Sequence, residues 1–126
     1  MKTLVTTDTE NGKTITDEKC VYDSNGEIIE ETNYNKEGAV KSVKKYKYDK
    51  DSNLLEEVLY DGKGNVKEKR TYKYSNFGEK TEEIVYGKDS EFQKKYTYSY
   101  DTKGLRTERK TYDASNNLIA VKKYTY

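Results

Sequence analysis

Residues Tyr48 to Lys73 read YDKDSNLLEEVLYDGKGNVKEKRTYK, and the same frame recurs on both sides of them. It holds two copies of one device: a tyrosine, a short polar stretch with Asp, Gly, Ser or Asn at set places, then a run of alternating character. Tyrosines at 22, 48, 74, 100 and 126 are spaced by 26 residues, with a second set at 34, 60, 86 and 112 and a third at 46, 72, 98 and 124. Self-similarity at a fixed period marks a repeat protein. The chain divides into a partial first repeat, 1–21, and full repeats at 22–47, 48–73, 74–99 and 100–125.

The polar stretches predict the turns. Asp or Asn first, two polar residues and Gly in fourth place suit a type I turn followed by a residue at positive φ, the hairpin loop that carries a bulge. Gly fills the fourth place at 12, 26, 38, 64, 78 and 104, with Ser52, Ser90 and Asn116 replacing it elsewhere. The serines should each lose about 1 kcal/mol there. Nine such turns, at 9–12, 23–26, 35–38, 49–52, 61–64, 75–78, 87–90, 101–104 and 113–116, separate ten strands. The fold class is therefore all-β, an antiparallel β-meander built of hairpin repeats.

A side-chain period of two then predicts faces. All 14 tyrosines carry even numbers, so an uninterrupted period puts them together on one face. The same reading places Val40, Val66, Phe92, Leu118, Ile28, Leu54 and the row Glu30, Glu56, Glu82, Glu108 beside them. Its register sets Tyr34 opposite Val40, Glu30 opposite Lys44, Ile28 opposite Tyr46, Tyr60 opposite Val66, Glu56 opposite Arg70, Leu54 opposite Tyr72 and Glu82 opposite Tyr96. Neither face is apolar enough for the inside of a sandwich. The expected architecture is a single-layer twisted sheet, with a closed ten-stranded up-and-down barrel as the alternative, since ten strands with a register slip of two per repeat are compatible with closure. Against closure stands the cost of crowding tyrosines and charges into a narrow interior.

Composition bounds the function. The 126 residues make one domain, with no proline and a formal net charge of +1 from 24 basic and 23 acidic residues. The signs alternate along the repeats as cross-strand partners do, and a balanced charge gives no reason to expect nucleic acid or a membrane surface as partner. No apolar run is long enough to span a bilayer. The compartment is left open between cytoplasm and a bacterial surface or secreted location reached after a leader is removed. Cys20, the single cysteine, cannot form an intrachain disulfide and occupies the frame position of Tyr46, Tyr72, Tyr98 and Tyr124, which favours packing over reactivity.

The phrases TYKYSNFGEK, YSYDTKGLRTE and KYKYDKDSNLL resemble the YD, or RHS, repeats of bacterial polymorphic toxins and teneurin-like proteins. That resemblance implies β-hairpin shells around a cargo. The spaced Tyr and Gly of YDSNGEIIEETNYNKEG are similar to MORN-type repeats, which implies an elongated single-layer meander.

Catalytic chemistry finds little footing. There is no histidine, so the usual general base and zinc ligand are missing. The Glu30, Glu56, Glu82, Glu108 row recurs in every complete repeat, as ladder electrostatics would, whereas a catalytic pair is singular. Asp49 to Asn53 starts like a calcium loop, but Leu54 stands where the bend needs glycine and Tyr60 where the bidentate acid belongs. Gly62-Lys63-Gly64 sits in a hairpin turn with no helix after it, unlike a phosphate loop. The expectation is a protein that is not an enzyme and uses no cofactor or metal.

Two binding readings remain. The first is a scaffold or protein interaction module, self-associating through the unpaired strands at the two sheet edges. The second is a carbohydrate-binding surface on the tyrosine face, with Tyr46, Tyr48, Tyr72, Tyr74, Tyr96, Tyr98 and Tyr100 as the candidate ligand residues.

Overall fold

The computed structural model describes residues Met1 to Tyr126. Ten strands follow one another: β1 (Lys2–Glu10), β2 (Lys13–Tyr22), β3 (Ile28–Tyr34), β4 (Val40–Tyr48), β5 (Leu54–Asp61), β6 (Val66–Tyr74), β7 (Lys80–Tyr86), β8 (Phe92–Tyr100), β9 (Arg106–Tyr112) and β10 (Leu118–Lys123). They pair antiparallel in sequence order within one sheet, and β1 and β10 do not meet. The sheet is therefore open and not a barrel. No helix is long and apolar enough to cross a membrane.

Turn chemistry explains the strand ends. Asp23, Asn35, Asp49, Asp61, Asp101 and Asp113 each open a turn, and the side-chain Oδ1 of each accepts two backbone N–H groups, two and four residues on, at 2.9–3.0 Å. Such Asx bonds hold the loop in shape. Ser75 does the same through its hydroxyl at 3.2 and 3.3 Å. The fourth turn residue takes positive φ throughout, including Ser52 (65°), Ser90 (59°) and Asn116 (64°). The turn after β7 is the exception in form: Gly87 offers no side-chain acceptor, Lys88–Ser90 make a single 3-10 turn, and Asp89 also sits at positive φ, 58°. The first turn differs too. The expected four-residue loop at 9–12 is a two-residue turn, Asn11-Gly12, with φ of 54° and 77°, because β1 and β2 stay paired up to Glu10 and Lys13. That is the Asn-Gly hairpin signature.

The face assignment expected from parity is overturned. A register shift interrupts every one of the nine strand pairs. From β3 onward the extra residue always lies three positions past the positive-φ turn residue: Ile29, Lys41, Leu55, Lys67, Thr81, Gln93, Thr107 and Ile119. Each is a β-bulge, where two residues oppose one, and a one-residue insertion reverses the parity of everything beyond it. Tyr34 faces Val40 and Tyr60 faces Val66 as expected, but beyond the bulge Glu30 faces Lys45 instead of Lys44, and Glu56 faces Thr71 instead of Arg70. Leu54 pairs with Tyr48 and Ile28 with Tyr22, and Glu82 faces Thr97 while Glu83 takes Tyr96.

Directly opposed residues share a face. Following the partners Leu4, Cys20, Glu31 and Lys44, then Tyr46, Glu57 and Arg70, then Tyr72, Glu83, Tyr96, Thr111 and Ala120 defines a major tyrosine face. Period two adds Tyr22, Tyr48, Tyr74, Tyr98, Tyr100, Tyr124 and Tyr126 to it. The reverse, minor face carries Tyr34, Tyr60, Tyr86 and Tyr112 with Val43, Val58 and the Glu30, Glu56, Glu82, Glu108 row. Tyr86 packs edge-on against Phe92 there, ring centroids 6.4 Å apart.

The core is correspondingly thin. The buried side chains are Cys20, Glu83, Val85 and Thr111 on the major face and Val58 on the minor one. The major face is the better sheltered of the two, and that is where the candidate residues lie.

Candidate ligand face

All seven tyrosines singled out from the sequence lie on the major face. They are not a free platform. Tyr48, Tyr74 and Tyr100 each donate their hydroxyl to the main-chain carbonyl 20 residues earlier, Ile28 at 2.7 Å, Leu54 at 2.7 Å and Lys80 at 2.6 Å, and Tyr126 does so to Arg106 at 2.9 Å. Each acceptor is the first residue of a bulge, where the ladder is locally broken. The tyrosines at this frame position are clasps that tie one strand to the next at the point where the bulge disturbs it.

Between the clasps lies an ionic row. Glu83, only 7% exposed, accepts from Arg70 Nη1 and Lys80 Nζ at 2.8 Å each. One repeat upstream, Glu57 accepts from the Tyr72 hydroxyl at 3.1 Å and lies 3.7 Å from Lys44 Nζ. Cations cover the rings: Lys80 stands 5.5 Å from the Tyr72 centroid and 5.0 Å from that of Tyr98, Arg106 4.2 Å from Tyr98, and Lys94 and Arg109 5.7 and 5.5 Å from Tyr96. The Arg106 guanidinium also donates to the Tyr100 hydroxyl at 3.4 Å. Tyr46 stacks on Tyr48 at 6.5 Å with 13° between planes.

Burial keeps five of these phenols protonated. Burial pushes Tyr46 up to about 12, with Glu31 and Glu57 adding to it. Burial, then Glu57 and Glu83, raise Tyr72 further still. Tyr48, Tyr74 and Tyr98 are raised as well, burial again leading. These groups are hydrogen-bond donors at neutral pH, not nucleophiles.

Cys20 shows what the frame does without its tyrosine. Its thiol donates to Glu18 Oε1 at 2.9 Å, and burial followed by Glu18 raises it to about 11. Glu18, Cys20 and Glu31 bring three donor atoms within 4.8 Å of one another, a cluster that spacing alone did not suggest. The thiolate that would ligate a metal is the form this setting disfavours.

Sequence reasoning brings the seven tyrosines together and puts Arg70 on their face, opposite Glu56 instead of Glu57, but misses Lys80, Glu83, Arg106 and Arg109. It had placed the wrong glutamate row beside the tyrosines. The signal that finds the right one is the period of 26 applied to Glu31, which runs through Glu57 and Glu83 to Arg109.

No family model and no curated protein matches the chain. Among solved structures it is similar to a chain of the GtfA/B complex bound to UDP and GlcNAc, at 16% identity and a TM-score of 0.35 over 94% of this chain. It spans 24% of that longer chain.

Proposed function

We propose that this protein is a non-enzymatic β-repeat scaffold that binds other protein chains, its own copies included, by adding strands to the edges of its sheet. The observation that carries the reading is the state of those edges. β1 and β10 each have a neighbour on one side, and all of their residues are exposed. Leu4 and Val5 are 51% exposed, Ile119 58% and Val121 46%. Natural sheets guard such edges with proline, lysines, bulges or a covering element; neither edge has a proline or a cover, and the guards on β10 are the Ile119 bulge with Lys122 and Lys123. A strand added there gains main-chain hydrogen bonds along its length.

The treatment of the tyrosines supports a structural role for them over a sugar platform. The hydroxyls of Tyr48, Tyr74 and Tyr100 are spent on main-chain carbonyls, and the rings of Tyr46, Tyr72, Tyr96 and Tyr98 are covered by cations. The hairpin shells implied by the resemblance to YD repeats agree with a scaffold.

The experiment is light scattering over a concentration series together with hydrogen exchange on β10. The Tyr124 N–H points inward to the Thr107 carbonyl at 3.0 Å, so by period two the N–H groups of Val121 and Lys123 point outward. Mass should rise with concentration and stop rising in Val121→Pro, which removes an outward donor without breaking the inner ladder. A peptide copy of 53–61, the strand type that follows an even-numbered strand, should slow exchange at Val121 and Lys123. A protein that stays monomeric to millimolar concentration, with β10 exchange indifferent to the peptide, sinks the reading.

A further inference from the structure

The last repeat breaks the ionic pattern of the major face at one place. Where the earlier repeats have Glu31, Glu57 and Glu83, it has Arg109. One repeat upstream the pair Lys80 and Glu83 makes an ion pair of 2.8 Å; here the equivalent residues are Arg106 and Arg109, two guanidiniums. Arg109 also stands directly opposite Lys122 on β10. Like charges directly opposed in a sheet are destabilising. Lys94, Arg106, Arg109 and Lys122 take part in none of the ion pairs of the fold. The Arg109 Nε is shut off from solvent with no acceptor in reach. A chain of net charge +1 thus gathers four uncompensated cations on one face of β8 to β10.

The face itself indicates what belongs there. In the two repeats before it the group held by the cations is a carboxylate, Glu57 beside Lys44 and Glu83 between Arg70 and Lys80. We propose that the β8–β10 third of the major face docks an acidic peptide segment, one carboxylate of which is gripped by Arg106, Arg109 and Lys122 as Glu83 is gripped by Arg70 and Lys80. This rests on the interaction-module reading and names the chemistry of the partner. A guanidinium presents two parallel donors that match a carboxylate. Nucleic-acid bases need open aromatic faces to stack on, and the rings of Tyr96, Tyr98 and Tyr124 are already capped by Arg109, Arg106 and Lys122 at 5.5, 4.2 and 5.6 Å.

The test is titration of the full chain with hexaglutamate at low salt, followed by tyrosine fluorescence, with hexaglutamine as the uncharged control. Binding should weaken as salt rises and fall at least tenfold in Arg109→Glu. That substitution installs the residue of the other repeats opposite Lys122, so its melting temperature should not drop, and loss of binding cannot be put down to unfolding. Lys122→Glu, at an exposed position, is the second variant and should weaken binding as well. Absence of hexaglutamate binding to the wild type, or binding unchanged in both variants, overturns the proposal. So does an oligothymidylate or a sulfated oligosaccharide that binds as tightly as the peptide. Run in the Val121→Pro background, the titration separates the two readings. Retained, Arg109-dependent binding there supports the acidic site whatever the edges do, whereas a wild type whose mass rises with concentration but which does not bind hexaglutamate overturns the acidic site and leaves the scaffold standing.

Discussion

The Tyr74 hydroxyl closes a 2.7 Å hydrogen bond on the Leu54 carbonyl, and its frame-mates repeat the contact at every complete turn of the pattern. A phenol suits the task because its ring supplies apolar area while its tip reaches a main-chain acceptor. A protein hydrogen bond of this kind contributes about 1 kcal/mol net. Tyr74→Phe should therefore lower stability by about that much in urea unfolding, because it deletes the donor and keeps the ring. Tyr60, on the minor face, has a cation over its ring, Lys45 at 5.5 Å, and no hydrogen bond from its hydroxyl to the protein. Tyr60→Phe should stay within about 0.5 kcal/mol of the wild type. Equal losses at both positions would mean that the clasp adds nothing beyond burial of the ring.

At the scale of the element, the turns differ in how well they are held. Seven have a side chain at the first position that accepts two main-chain donors, and most place glycine at positive φ. The turn between β7 and β8 has neither: Gly87 lacks an acceptor, and Asp89 and Ser90 are both at positive φ. Ser90→Gly relieves one of those strained positions and should stabilise by about 1 kcal/mol, raising the melting temperature by about 4 °C for a chain of this size. A melting temperature unchanged by Ser90→Gly would mean that this turn is already open in the state from which the sheet unfolds. The turns were legible from sequence because Asp, Asn and Gly announce the geometry they are needed for. The further bulges, three residues past each turn from β3 onward, were not. Their extra residues are Ile29, Lys41, Leu55, Lys67, Thr81, Gln93, Thr107 and Ile119, a set with no glycine and no common chemistry. Main-chain geometry after the turn makes them, and no side chain marks them. That single unreadable residue per hairpin moved Tyr34, Tyr60, Tyr86 and Tyr112 to the reverse face, and exchanged the Glu30 row for the Glu31 row beside the remaining ten tyrosines. The seven candidate residues survived because all of them lie on even-numbered strands, where the bulges leave their shared parity intact.

For the whole molecule, the consequence of strict neighbour pairing is that no strand depends on a distant one. The order β1 to β10 runs through the sheet without a crossover, and the 3-10 turn also packs against β6. In such quasi-one-dimensional arrays, stability is close to a sum of unit and nearest-neighbour terms. Removal of residues 48–73 joins Lys47 to Tyr74, deletes β5 and β6, and sets β4 against β7. The new interface keeps its chemistry: Tyr74 takes over the place of Tyr48, and Lys44 takes that of Arg70 beside Glu83. The shortened chain should fold as an eight-stranded sheet, with a β-type circular dichroism spectrum and a urea m-value about eight-tenths of the parent's, since m follows the surface exposed on unfolding. A chain left unfolded by the excision would show that the ionic centre of the major face, with Arg70 between Glu68 and Glu83 at 3.4 and 2.8 Å, is a nucleus the other repeats cannot replace.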